Sequence, residues 1–126
     1  MRTIKFRVYD KAHGKTHIVG SDSHDELTCF NGVVQYYNLQ NGEGSGEHGD
    51  YTLMQYIGLK DKNGQEVYEG DIILSYNEFD EPFGVLSVVE YDEQYAKFRG
   101  IDIECLDYEQ VIGNIYEHSY LLESAE

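Results

Sequence analysis

Apolar and polar residues alternate at the start of the chain. In TIKFRVY (residues 3–9), Ile4, Phe6 and Val8 fall on one face of an extended segment, and the polar residues between them fall on the other. The turn-forming stretch DKAHGK follows, and THIV then resumes the extended pattern. The pattern predicts an N-terminal β-hairpin.

A second hairpin is predicted within CFNGVVQYYNL (residues 29–39), with Asn31 and Gly32 at its bend, because Asn-Gly favours tight hairpin turns. The segment that follows, NGEGSGEHGD (residues 41–50), has four glycines and no apolar residue. Such a composition predicts a flexible loop, which we take as the internal boundary of the chain.

The stretch from residue 51 to 76 reads as two strands around a turn. TLMQYIGL predicts a strand, and KDKNG predicts a type I′ turn at Asn63 and Gly64. QEVYEGDIILSY then predicts the strand that runs back. Gly70 can adopt the positive φ that a sharp corner needs, and the Asp71 side chain can accept hydrogen bonds from backbone amides there.

Further strands complete the pattern. GVLSVVEYDEQYAKFRGI (residues 84–101) predicts two strands around a turn, EQVIGNIYE a last strand, and SYLLESAE a short terminal helix. Twelve tyrosines among 126 residues also favour a sheet. We predict a mainly β, single domain over 1–126, with an N-terminal β region and glycine-rich loop (1–50), then a small barrel and tail (51–126).

Charge is abundant and unevenly distributed. The formal net charge is −15, but residues 1–20 hold five bases and one acid, a net of +4, which leaves −19 on the rest. This balance repels phosphate, so nucleic-acid binding is not expected. The basic hairpin could instead pair with an acidic surface of its own chain, which would leave a monomer. It could also pair with an acidic surface of a neighbouring copy, which would give a homo-oligomer.

The residues also argue against several other classes of protein. Cys29 and Cys105 form no disulfide framework or zinc motif. The N-terminus lacks the apolar run of a signal peptide, and no stretch is long enough to span a bilayer, so we expect a cytoplasmic protein without a membrane partner. DKNG fails as a calcium loop because Leu59 stands where the first acidic ligand is required.

Candidate chemistry is sparse. Asp102 and Glu104 would share a face if they lay on a strand, and paired carboxylates can do acid/base work or hold a cation. Lys5 and Arg7, with Lys11 in the turn, form a basic surface that could contact a partner. Solvated carboxylates and charge pairing are the simpler interpretations, so we expect no catalytic residues, no cofactor and no metal site.

The histidines are further candidates for a metal site. His13 and His17 lie four residues apart, but across a predicted turn rather than along a helix, and His24 could join Asp22 and Asp25. A solvated loop explains these residues more simply.

Three stretches of the chain have the form of family motifs, namely KFRVYDK (5–11), LMQYIGLKDKNGQEVYEGDII (53–73) and VIGNIYEHSYLLE (111–123). They resemble the YopX family, small proteins of phages and prophages of Gram-positive bacteria, in which the first and last stretches read KFRAWDK and VIGNIYENPELLE. This chain departs from the family's motifs at two places. It has Tyr9 where the family has Trp, and it has His118 to Tyr120 where the family has Asn-Pro-Glu. The resemblance implies a β-rich fold whose second half is similar to a barrel of the Src-homology-3 type, and it transfers no catalytic residue.

Three functions follow as hypotheses. The first is a non-enzymatic phage or prophage accessory protein that binds an unknown host or phage protein. The second is an acidic mimic of DNA that blocks a host restriction or defence protein. An enzyme acting through the acidic clusters is the third.

Overall fold

A computed structural model describes residues 3–30, 33–38, 43–44 and 51–123. The predicted fold class is confirmed: the chain is mainly β, with a single short α-helix near its C-terminal end among the residues described. Backbone proximity divides it into two compact units, residues 5–55 (the N-terminal unit) and residues 56–126 with 1–4 (the C-terminal unit).

The N-terminal unit contains the predicted first hairpin. Strand β1 (Phe6–Asp10) pairs antiparallel with β2 (Lys15–Ile18) on one side and with the first half of β6 (Tyr51–Lys60) on the other. Val8 packs with Tyr36 and Tyr51 in the core of this unit, where the tyrosine rings supply large buried apolar surfaces.

Three more strands belong to this unit. Strand β3 (Glu26–Phe30) pairs with β4 (Val33–Asn38), as predicted, and the Asn31-Gly32 bend lies outside the described residues. Strand β5 (Glu43–Gly44) pairs with β4, so part of the predicted loop at 41–50 is ordered in the sheet. The rest of that segment lies outside the described residues.

The C-terminal unit is built around β8 (Asp71–Tyr76). This strand lies between β9 (Pro82–Val88) and β12 (Glu109–Asn114), and both partners are antiparallel to it. Register shifts break both ladders, at Val111/Gly113 and at Leu74/Tyr76. Such bulges increase local twist, which is how a sheet curls.

The remaining elements are short. Strand β7 (Glu66–Tyr68) pairs with the second half of β6, and β10 (Glu90–Asp92) forms a hairpin with β11 (Lys97–Arg99). A single turn of 3-10 helix spans Leu106–Tyr108, and helix α1 spans Tyr120–Glu123. The core of the unit comprises buried aliphatic residues, namely Val67, Ile73, Val89 and Val111.

Two expectations about buried positions need correction. The alternation with Phe6 and Val8 predicts that Ile4 lies in the core, but Ile4 is 62% exposed because it precedes the start of β1. The sequence also predicts Val88 as a core residue, but Val89, just after the end of β9, is the one that is fully buried. Its amide donates to the Asp71 carbonyl, so the chain turns inward at this point.

The turn after β6 is not type I′. Asn63 does not have a positive φ, whereas Gly64 does, at 80°. The Gly64 amide donates to the Asp61 carbonyl and the Asp61 amide donates to Gln65. This is the pattern of a type I turn followed by a glycine bulge, the usual three-residue hairpin loop.

Candidate functional site

One open cleft stands out in the C-terminal unit, at the end of β8. It has a volume of about 720 Å³. The residues after the middle of β8 form one side, and the segment carrying the 3-10 helix forms the other. The lining residues are Ser75, Tyr76, Asn77, Glu78, Asp102, Cys105, Tyr108 and Glu109. Three of these eight are acidic and none is basic, so the cleft favours positive charge.

Glu109 is held in place by two hydrogen bonds. The Ser75 hydroxyl donates to Glu109 Oε2 at 2.6 Å, and the Asp102 amide donates to Glu109 Oε1 at 2.8 Å. The residue is only 5% exposed. Because each carboxylate oxygen is already engaged, Glu109 joins β8 to the segment after β11 and fixes the shape of the cleft.

Tyr76 and Tyr108 provide the aromatic surface. The Tyr76 hydroxyl bonds the Gln110 side chain, and Lys62 Nζ lies 3.8 Å from the centroid of the Tyr76 ring. Lys62 also forms an ion pair with Asp80. Tyr108 is 40% exposed and adjoins the cleft from the 3-10 helix. One tyrosine is thus fixed by its partners, and the other presents its surface to solvent.

The thiol of Cys105 responds to the negative charge around it. The Asp102 carboxylate, followed by burial and by Glu104 and Glu109, raises the pKa of this thiol. A raised pKa keeps the thiol protonated and makes it a poor nucleophile. Cys105 therefore lacks the activation that cysteine catalysis needs.

Asp102 and Glu104 do not form the predicted pair on a strand. They lie in a turn in which the Glu104 amide donates to Asp102 Oδ1 at 3.1 Å and the Cys105 amide donates to the Asp102 carbonyl. Asp102 lines the cleft and Glu104 does not. The condition for that pair, a strand over these residues, is not met, because β11 ends at Arg99 and because Gly100, with a φ of 91°, turns the chain.

The predicted basic residues occupy different environments in the N-terminal unit. Lys5 is half-buried, and Arg7 is only 8% exposed, with Nε donating to Met54 Sδ at 3.3 Å. Lys11 is exposed in the turn after β1. The three are therefore not equally accessible on one surface.

The predicted turn residues do take up turn positions. Gly70 has a φ of 84°, as the sharp corner required. Its amide donates to the Val89 carbonyl and its carbonyl accepts from Ile115, while Asp71 Oδ2 accepts from the Tyr68 amide at 2.8 Å. The corner at Gly70 and Asp71 thus connects the segments that follow β9 and β12.

Two of the three histidines considered for a metal site bond neighbouring aspartates instead, and the third, His17, stacks on Tyr36 with ring centroids 5.4 Å apart. His13 Nδ1 lies 2.7 Å from Asp10 Oδ2, and His24 Nδ1 lies 2.9 Å from Asp22 Oδ1. The backbone amide of His24 and its ring hold the pKa of Asp22 at about 2. Within the described ranges no group of three His, Cys, Asp or Glu is placed to hold a metal ion.

Asp25 organises the loop between β2 and β3. Its carboxylate accepts from the Tyr36 hydroxyl at 2.6 Å, from Asn38 Nδ2 at 2.9 Å and from the Gly20 amide at 3.0 Å. Burial raises the pKa of Asp25, but these hydrogen bonds outweigh it and lower the pKa below its usual value. The role of this carboxylate is structural.

The sequence did not single out Ser75, Tyr76 or Tyr108 as site residues. Asp102 was a candidate through its pairing with Glu104, whereas Glu78 and Glu109 stood only among other carboxylates of the sequence. They meet because β8 and β12 are neighbours in the sheet, and local spacing does not encode that pairing. Among the residues described, no helix is long and apolar enough to cross a membrane.

The fold and the cleft define a small, mainly β protein with an acidic surface that includes exposed tyrosine. The profile of the YopX protein family matches residues 5–123, and the chain belongs to that family. No curated protein matches it significantly.

Two solved structures share the fold. Protein EF1440 from Enterococcus faecalis has a TM-score of 0.62 and 24% identity, covering 97% of this chain and 99% of its own. Protein yopX from Bacillus subtilis has a TM-score of 0.56 and 18% identity, covering 96% and 98%.

Proposed function

We propose that this chain is a non-enzymatic phage or prophage accessory protein that binds another protein through the cleft at the end of β8. The observation that carries the proposal is the lining itself. An open cleft of about 720 Å³ combines tyrosine surface with carboxylates. Aromatic residues in such settings dominate protein–protein binding energy.

The hydrogen bonding of the cleft supports binding rather than catalysis. Both oxygens of Glu109 accept bonds from Ser75 and Asp102, so this carboxylate serves to hold two segments together. The thiol of Cys105 is kept protonated by its acidic neighbours. A general base or nucleophile would instead need a free, activated atom facing a substrate.

Apolar exposure beside the cleft points in the same direction. Ile103 is 62% exposed and Tyr108 is 40% exposed, and they belong to one short segment after β11. Exposed apolar side chains that adjoin a cleft are typical of surfaces that a partner covers. Such a partner would bury both side chains and Tyr108 would serve as an anchor.

Affinity capture from infected or lysogenic cells tests the proposal when it compares matched variants. Tyr108→Ala removes the exposed ring of the cleft, and Tyr95→Ala removes a ring that is 66% exposed outside the lining. A protein captured by the wild type and by Tyr95→Ala but lost with Tyr108→Ala supports the proposal. Equal capture by both variants would place binding elsewhere.

The net charge of −15 favours one alternative, a mimic of DNA that occupies a host restriction or defence protein. Several carboxylates already serve their own backbone, including those of Asp61, Asp92 and Asp102, which limits a continuous phosphate-like array. Competition decides between the two: a mimic should displace DNA from its target, and Tyr108→Ala should not affect that displacement.

A further inference from the structure

The charge of the cleft indicates what kind of partner segment it accepts. Glu78 and Asp102 stand on its two sides, Glu109 lies between the segments that bear them, and no lining residue is basic. Glu78 and Asp102 are both exposed, so their charges face a ligand rather than the core. Charge complementarity therefore selects a cationic group.

The aromatic surface favours the same chemistry. Lys62 Nζ already lies 3.8 Å from the centroid of the Tyr76 ring, so a tyrosine of this cleft carries a cation over its face within the molecule itself. Tyr108, with 40% of its surface exposed, offers a second ring in the lining of the cleft. A cation that enters beside Tyr108 gains ring and carboxylate contacts together.

We propose, building on the proposed function, that the cleft binds an arginine-bearing segment of a basic partner protein, with the guanidinium between the carboxylates of Glu78 and Asp102 and against the Tyr108 ring. Arginine suits the site better than lysine because its planar group can stack on a ring while bonding a carboxylate through two N–H groups.

A second copy of the chain is the competing occupant. Lys11 and Lys15 are exposed at the hairpin turn of the N-terminal unit and could enter the cleft of another molecule. Each copy carries a net charge of −15, however, and two such molecules repel one another. The same net charge attracts a basic partner, which is why we favour a different protein.

Fluorescence anisotropy with short labelled peptides tests this inference. The probe alternates arginine with leucine and proline, and two comparison peptides carry lysine or glutamate in place of arginine. We expect the arginine peptide to bind most tightly, the lysine peptide less tightly and the glutamate peptide not measurably. Binding should weaken in about 1 M salt, where the Debye length falls to about 3 Å.

Matched variants separate the cleft from the general acidity of the protein. Glu78→Gln with Asp102→Asn removes two cleft charges while Asn keeps an acceptor for the Glu104 amide. The control, Glu93→Gln with Asp92→Asn, removes two charges at the β10–β11 turn. We expect roughly a tenfold loss of affinity from the cleft variant and less than about a twofold loss from the control.

Several outcomes would overturn the inference. Equal losses in both double variants would mean that net charge alone attracts the peptide, and equal affinity for arginine and glutamate peptides would remove the charge argument. A dimer seen by light scattering that dissociates in the cleft variant would assign the cleft to a second copy.

The inference and the proposed function can fail separately. If no arginine peptide binds while Tyr108→Ala still abolishes partner capture, the cleft is a protein-binding site for another chemistry. If capture is insensitive to Tyr108→Ala, the proposed function fails as well.

Discussion

Asp61 and Val111 are joined by a hydrogen bond across 50 residues of sequence, from the Val111 amide to Asp61 Oδ2 at 2.9 Å. The other oxygen, Oδ1, accepts from the amides of Asn63 and Gln65, both at 2.9 Å. Asp61 is 7% exposed. One buried carboxylate therefore shapes the β6–β7 turn and attaches that turn to β12.

Asp61→Ala should reduce the free energy of unfolding by about 3 kcal/mol, because three bonds to a charged acceptor are lost and the Val111 amide is left buried without a partner. Asp92→Ala is the control. Asp92 Oδ1 accepts from the amides of Gln94 and Tyr95, and Asp92 Oδ2 lies 4.0 Å from Arg99 in the same hairpin, so these contacts are all local. We expect Asp92→Ala to reduce the free energy of unfolding by about 1 kcal/mol. Equal reductions for the two variants in urea denaturation would contradict the bridging role of Asp61.

Gly100→Ala should be far more damaging than Gly58→Ala. The two glycines have φ values of 91° and 92°, so a side chain at either one is strained by about 1 kcal/mol or more. At Gly100 a Cβ would also lie 2.0 Å from the Val88 carbonyl oxygen, whereas at Gly58 no atom lies within 4 Å.

Overlap with backbone cannot be relieved by a rotamer change, so we expect a loss above about 3 kcal/mol at Gly100 and about 1 kcal/mol at Gly58. Thermal or urea unfolding of the two variants measures the difference. Similar stabilities would show that the approach of Gly100 to β9 is not required.

Acid should weaken the N-terminal unit partly through Asp25. Its pKa is lowered in the folded chain, so its ionised form stabilises the fold above its ordinary value of 3.8, and that contribution is lost as pH falls through the lower, folded pKa. Asp25→Asn should therefore reduce stability at neutral pH and flatten its dependence on pH in this acidic range.

Urea denaturation over a pH series measures this effect, with Glu26→Gln, an exposed neighbour, as the control. The control should retain the acid dependence of the wild type. An Asp25→Asn variant with the same pH profile as the wild type would show that the bonds from Tyr36 and Asn38 do not depend on the charge.

Cys105 reports the electrostatic potential of the cleft. Because Asp102 is the largest cause of its raised pKa, Asp102→Asn should lower the pKa of the thiol and speed its alkylation at neutral pH. Glu104→Gln should have a smaller effect in the same direction. The rate at which iodoacetamide alkylates Cys105, measured in a Cys29→Ser background, checks that Asp102→Asn has the larger effect. Glu93→Gln should leave this rate unchanged.

The sequence allowed the hairpins to be predicted because each depends on local alternation and turn chemistry. The N-terminal hairpin, the pairing of β3 with β4 and the positive φ of Gly70 are examples. The type I′ turn was wrong, since Asn-Gly also fits a type I turn whose bulge places only Gly64 at positive φ.

The cleft could not be predicted, because it depends on contacts between distant segments. Ser75 meets Glu109 only through the pairing of β8 with β12. The sequence likewise indicates that Asp25 is a solvated loop residue, whereas in the structure it accepts hydrogen bonds from Tyr36 and Asn38 of β4. Carboxylates that solvate a surface and carboxylates that organise a fold have the same spacing in sequence.

The contact between Asn114 and His118 has a consequence for substitution within the family. The backbone N–H of Asn114 donates to His118 Nδ1 at 3.1 Å. This ring nitrogen is therefore the acceptor, and the neutral ring carries its proton on Nε2. The related motif VIGNIYENPELLE has asparagine at this position, and its Oδ1 stands as many bonds from the backbone as Nδ1 does. We therefore expect asparagine to accept a hydrogen bond from the same backbone N–H, so His118→Asn should preserve the turn at the end of β12. Gly113, in contrast, leaves no room for a side chain, because a Cβ there would lie 2.8 Å from the His118 ring.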